Sequence, residues 1–230
     1  MARRTAGPGA EPAFQHPQLS RIGSSVVEVW TSVAARRSHL AEWARGIDAS
    51  TADAPSWCEG WRVRDVLGHL VHLAEATQLR MARDVITRGP TPDRALARIA
   101  KDLGQHPVAE LSDRFQAAAM GRFHVLGTPA VVALGEVLVH GSDMMRAVGA
   151  IDDVDPSIVV PVLGVYRRLG RVAFHAAPAS KVTLAATDIQ AVIGSGPEVR
   201  GRALDLLLLL ANRRQVLADL SGPGLPSVRG

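Results

Sequence analysis

Apolar positions recur at helical spacing through most of the chain. From about Leu19 to Ile47, Ile22, Val26, Val29, Val33, Leu40 and Trp43 share one side, which predicts a helix there. Pro55 and Gly60 mark a loop between Ala49 and Trp61. A second helix is expected from Arg62 to about Arg88, its apolar face formed by Val63, Val66, Leu67, Leu70, Leu73, Ala74 and Met81. Gly89-Pro90-Thr91-Pro92 ends it. A short helix around Asp93 to Leu103 sits in the connection, and a third long helix covers about Val108 to Val125. The fourth runs from Ala130 to Val148, with Thr128 as N-cap, Pro129 in the first turn and Gly149 as its stop. Four long amphipathic helices with short connections predict a mainly α fold, an antiparallel four-helix bundle.

The pattern changes after Ile151-Asp152-Asp153-Val154-Asp155-Pro156. A helix near Ser157 to His175 precedes two short strands, Lys181 to Ala186 and Ile189 to Ile193, and the turn Gly194-Ser195-Gly196-Pro197. Glu198 to Leu220 reads as helical, and a last strand follows Gly222-Pro223-Gly224. The expected organisation is a flexible N-terminal arm over 1–17, the bundle over 18–150 and a small α+β C-terminal domain over 151–230. The arm, rich in Pro, Gly and Ala, lacks periodicity.

Composition narrows the function classes. A hydrophobic fraction of 47% and a charged fraction of 21% are those of an ordinary globular protein. The net charge is only +4, and the high pI of about 10.1 follows from arginine: Lys101 and Lys181 are the only lysines. The basic residues are scattered and no basic stripe alternates with aromatics, so nucleic acid is not expected as a partner. The longest apolar run, Leu204 to Ala211 broken by Asp205, is too short to span a bilayer, and no secretory h-region follows Arg3-Arg4. A single cysteine, Cys58, excludes an intramolecular disulfide. A cytoplasmic location, no membrane partner and a monomer or homodimer are expected.

Two stretches place metal-capable side chains inside apolar helical runs. In Gly135-Glu136-Val137-Leu138-Val139-His140-Gly141-Ser142-Asp143, Glu136 and His140 are four apart and point from one face. A carboxylate among valines and leucines needs a partner, either a cation or an arginine of the bundle. His69, in Gly60-Trp61-Arg62-Val63-Arg64-Asp65-Val66-Leu67-Gly68-His69-Leu70, lies near the edge of the second helix's apolar face and can aim inward. Two imidazoles and one carboxylate leave a divalent metal with open coordination positions, an arrangement for chemistry. His72 shares that side and is a rival ligand or a supporting residue. His39, His106, His124 and His175 are read as surface or ordinary core residues. Asp143 either orients a ligand imidazole or faces solvent. Cys58 is read as neither ligand nor nucleophile, and Trp57 and Trp61 as loop or core anchors.

The joint pattern Gly60-Trp61-x3-Asp65-x3-His69-Leu70 and Glu136-x3-His140-Gly141-x-Asp143 resembles the mycothiol-dependent maleylpyruvate isomerase family, actinobacterial DinB-like metalloenzymes. The tail resembles it too, in Gly196-Pro197-Glu198-Val199-Arg200-Gly201, Asp205 to Arg213 and Leu220-Ser221-Gly222. The resemblance implies a DinB-like bundle holding a zinc-type ion by His69, Glu136 and His140, closed by the C-terminal domain. It implies mycothiol as cosubstrate and Arg213 as a catalytic residue that binds the anionic substrate or thiol; the bland reading of Arg213 is a helix-terminal cation. Departures from the family pattern are Glu59 for proline, Arg62 for a capping threonine, Ser142 for tryptophan and Asn212 for glycine. With Arg62, the capping box through Asp65 is expected to be lost. With Ser142, the pocket beside the ligands is expected to change shape.

The expected activity is that of a thiol-dependent isomerase or thiol S-transferase. A metal activates the thiol, with Asp143 and Arg213 as catalytic residues and a small electrophile as substrate. Two alternatives use the same residues: a non-haem iron enzyme of thiol metabolism, and a non-catalytic metal- or ligand-binding protein.

Overall fold

The computed structural model describes residues 26–173 and 181–228. The N-terminal arm, the start of the expected first helix, and His175 lie outside them. Four helices form the bundle: α1 (Val26–Arg45), α3 (Val63–Glu75), α6 (Val108–Ala117) and α7 (Val131–Met145). α1 and α3 each pack against both α6 and α7, so the four close into a ring. Its core contains Val33, Leu40, Leu67, Leu70, Leu111, Phe115 and Leu138, all essentially inaccessible to solvent. A short α2 (Ala49–Asp53) precedes the 54–62 loop.

The expected second helix is two helices. α3 ends at Glu75, and α4 (Gln78–Arg88) starts afresh because the Thr77 hydroxyl accepts from the Arg80 amide at 3.2 Å. Periodicity alone runs through this break; the N-cap threonine decides it. α5 (Pro92–Leu103) is capped in the same way by Thr91, with Pro92 in its first turn. It lies across α3, where a β-carbon on Gly68 would sit 2.8 Å from the Ala100 carbonyl oxygen and 2.9 Å from Leu103 Cβ.

α6 stops at Ala117, short of the expected Val125, and residues 118–130 form turns and irregular chain. Thr128 does not cap α7: its hydroxyl donates back to the Val125 carbonyl at 2.7 Å, and Ala130 occupies the N-cap position. The helical path continues as a 3-10 turn over Arg146–Val148, and left-handed Gly149 (φ 71°) closes it as expected. Arg62 has no acceptor atom, yet half of a capping box survives. Asp65 accepts from the Arg62 amide at 2.9 Å and from its guanidinium at 2.8 and 3.1 Å.

Beyond Asp155, α8 (Pro156–Ala173) packs on α7 and α9 (Ala203–Leu210) packs on α8. A three-stranded sheet lies beside α9 in the order β2-β1-β3, with β1 (Thr183–Ala186) antiparallel to β2 (Val192–Gly194) and parallel to β3 (Glu198–Gly201). The expected helix from Glu198 to Leu220 is therefore wrong at both ends. Glu198 to Gly201 alternate as a strand, with Val199 buried and Arg200 outward, and Arg200 pairs with Ser221. A 3-10 turn covers Arg214–Ala218, and another, Leu225–Val228, stands where a last strand was expected. α9 is apolar on every side because it sits between α8 and the sheet, and all its residues are buried.

Candidate metal centre

The ring of helices brings the three expected ligands together. His69 Nε2 on α3 lies 3.6 Å, and His140 Nε2 on α7 lies 3.4 Å, from the same Glu136 oxygen, Oε2. All three ligand atoms fall within 4.8 Å of one another. A tetrahedral cation with ligands at about 2.0–2.2 Å sets its donors about 3.3–3.6 Å apart, so both histidine–glutamate pairs stand at ligating separation. The donor set therefore fits a divalent ion.

Protonation agrees with that fit in two of the three groups. Burial pushes the His69 imidazole down, towards the neutral form a ligand needs. Burial alone would raise Glu136, but hydrogen bonds from His140 and His69 outweigh it and hold the carboxyl well below its ordinary range. Burial opposes protonation of His140 as well; there the neighbouring Cys58, Asp143 and Glu136 prevail and raise it.

Behind His140 stands a second layer. Asp143 Oδ2 is 3.0 Å from His140 Nδ1, so the carboxylate accepts the Nδ1–H hydrogen bond and turns Nε2 towards Glu136. Asp143 is fully buried, which excludes the solvent-facing reading. Arg213 clamps it with two bonds, Nε to Oδ1 at 2.9 Å and Nη2 to Oδ2 at 2.6 Å. This pairing depresses Asp143 against the upward effect of burial, and likewise raises Arg213 against burial.

Arg213 reaches the site through the end of α9. The Asn212 amide bonds Leu209 O and the Arg213 amide bonds Leu208 O, a Schellman closure around Asn212 in the left-handed region (φ 61°). Asparagine is the residue other than glycine that most readily takes this conformation, so its place in the glycine position is explained.

Cys58 was expected to have no part here, and the structure places it in this layer. Its thiol donates to Asp143 Oδ2 at 3.0 Å, accepts from Arg213 Nη2 at 3.3 Å and lies 3.4 Å from His140 Nδ1. The 54–62 loop holds it there: Ser56 bridges to Trp61, and the Trp57 amide donates to the Asp143 carbonyl. Cys58, His140 and Asp143 also approach one another closely enough for a metal, but the Arg213 cation already fills that position. The only sequence signal for Cys58 was its proximity to Trp61.

The remaining candidates separate cleanly. His72 is buried 4.0 Å from Asp84 and lies outside the triad. His106 pairs with Glu110 at the surface. Trp61 packs edge-on against His69, with ring centroids 5.5 Å apart, and Arg146 lies over Trp57. Ser142 faces away from the ligands; its hydroxyl bonds Leu138 O and Asp152, which in turn pairs with buried Arg36. Gly135 lets Tyr166 of α8 pack directly beside Glu136, where a β-carbon would lie 2.5 Å from the ring.

Residues 33–145, from α1 to the end of α7, match the family model of the mycothiol maleylpyruvate isomerase N-terminal domain. The chain carries that family's N-terminal domain. Two crystal structures share its fold: a histidine-to-alanine mutant of a mycothiol-dependent maleylpyruvate isomerase (TM-score 0.60) and the mycothiol-dependent maleylpyruvate isomerase itself (TM-score 0.58). Each is 15% identical in sequence, and each comparison covers 86% of this chain and 93% of the other. No curated protein matches the chain by sequence. No helix among the described residues is long and apolar enough to cross a membrane.

Proposed function

We propose that this chain is a thiol-dependent metalloenzyme, with mycothiol as cosubstrate and a small electrophile as substrate. His69, Glu136 and His140 would hold one divalent, zinc-type cation. The reading rests on one observation above all: two imidazole Nε2 atoms address a single carboxylate oxygen at 3.6 and 3.4 Å. When bound, the cation would supply a Lewis-acidic position at which a thiol ionises near neutral pH.

The chain's own residues do the rest. Asp143 holds the proton on His140 Nδ1 and so fixes the ring's tautomer and direction. Arg213 fixes Asp143 and offsets its charge. In this arrangement Arg213 acts through Asp143, and an incoming anion would have to compete with that carboxylate for it. Thiolate addition to an activated double bond, rotation about the resulting single bond and expulsion of the thiolate give cis–trans isomerisation; retention of the adduct gives S-transfer. The division expected at residue 150 would separate the ligand-bearing helices from the part that supplies Arg213. In an assay of purified protein with mycothiol and unsaturated acids or other electrophiles, turnover should require thiol and metal. It should disappear in both His69→Ala and His140→Ala; turnover that persists in both would overturn the reading.

A further inference from the structure

Two adjacent arginines of α1 are buried, and they differ in one respect. Arg36 is paired with Asp152. Arg37 is 2% exposed, and no carboxylate among the described residues offsets its charge. Its Nη1 donates to the carbonyls just past α6, to Gly121 at 2.7 Å, Ala119 at 3.3 Å and Ala118 at 3.5 Å. Its Nε, also buried, has no hydrogen-bond partner. A guanidinium removed from water normally takes an acid with it. The carbonyl cluster and the negative end of α6 compensate only in part. Burial accordingly lowers the Arg37 guanidinium to about 10.

The same side chain lines a cavity of about 280 Å³ that also reaches His69 and Glu136. Its walls are apolar, formed mainly by Leu73, Met81, Val85, Leu96, Phe123 and Val132. Besides the two candidate metal ligands, only Arg37 and His124 contribute ionisable side chains. Arg213, the other cation of the site, lies on the far side of His140 and is held by Asp143.

We infer that this cavity is the electrophile's site and that Arg37 receives the single anionic group of a substrate with an apolar body, its other end facing His69 and Glu136. The volume suits a small molecule. One cation fits one carboxylate, and hydrocarbon walls would leave a second carboxylate desolvated without a partner. The placement of the reactive end rests on the proposed function; the cavity's preference for a monoanion does not.

Calorimetric titration separates the two. The probes are hexanoate, the neutral hexan-1-ol and the dicarboxylate adipate, titrated into the full chain. Hexanoate should bind more tightly than either of the others. In Arg37→Met its affinity should fall roughly ten- to a hundredfold, as expected for loss of a charge-assisted bond, while hexan-1-ol binding is retained. Chelator treatment of the unmutated chain alters no residue lining the cavity, so hexanoate binding should survive it even if the metal reading fails. Should Arg37→Met not fold, Leu96→Trp provides the second variant: filling the cavity should abolish binding of hexanoate and hexan-1-ol alike. Absence of hexanoate binding, equal binding in Arg37→Met, equal affinity for adipate, or loss of hexanoate binding on chelator treatment would overturn the assignment.

Discussion

At the scale of single residues, the site is two layers with different duties. The Nε2 side of His140 faces Glu136 and His69, whereas its Nδ1 side belongs to Asp143, Cys58 and Arg213. Asp143→Asn keeps the shape but loses the charge that fixes the imidazole, so zinc affinity should fall roughly ten- to a hundredfold. A competitive chelator titration reads this. The change also leaves Arg213 without its counter-charge, so stability should fall as well, less steeply because that guanidinium is partly exposed. Arg213→Met strands a fully buried carboxylate. Chemical denaturation should show a loss of about 3–5 kcal/mol. Cys58→Ala should leave zinc stoichiometry intact, since the sulfur lies on the Nδ1 side. The histidines and glutamate were legible in the sequence because a four-residue spacing inside an apolar run is itself a signal. Cys58 and Arg37 were not: their roles come from a loop hydrogen bond to residue 143 and from a cavity, neither of which leaves a periodic trace.

At the scale of elements, close packing of α7 against α8 sets the position of Glu136. Gly135→Ala would drive a methyl group into the Tyr166 ring. Overpacking should cost about 1–3 kcal/mol, partly offset by the roughly 1 kcal/mol gain in helix propensity. Urea denaturation should therefore show net destabilisation, where the same change in an exposed helix would stabilise. Periodicity located the bundle helices but not their ends. Thr77 divides the expected second helix, and Thr128 turns back to Val125 where capping was expected. The stretch from Glu198 was misread because α9, buried on all sides, gives no amphipathic edge from which to locate its beginning. The strand before it depends on Ser221, distant in sequence, for its pairing.

For the whole molecule, a buried neutral histidine makes stability depend on pH. Burial, assisted by the Arg80 charge, lowers His72 to about 4. Between the ordinary histidine value near 6.5 and that value, the unfolded chain holds a proton that the folded chain refuses, so stability rises with pH across this window. Acidification from pH 6.5 towards 4 should cost on the order of 3 kcal/mol from this group. Urea midpoints measured across the window should shift accordingly, and His72→Gln should flatten the dependence. A wild-type profile flat over the same range would remove His72 from the account. The family's N-terminal domain and the shared fold give the molecule its frame, and within it the convergence of α3 and α7 brings His69, Glu136 and His140 together.

That convergence is tested most directly by loading the full chain with zinc and measuring metal content and X-ray absorption together. The account predicts about one zinc per chain with nitrogen and oxygen neighbours, lost in His69→Ala and in His140→Ala and retained in Cys58→Ala. Zinc held equally well by both histidine variants, or a sulfur neighbour in the absorption spectrum of protein without added thiol, would contradict it.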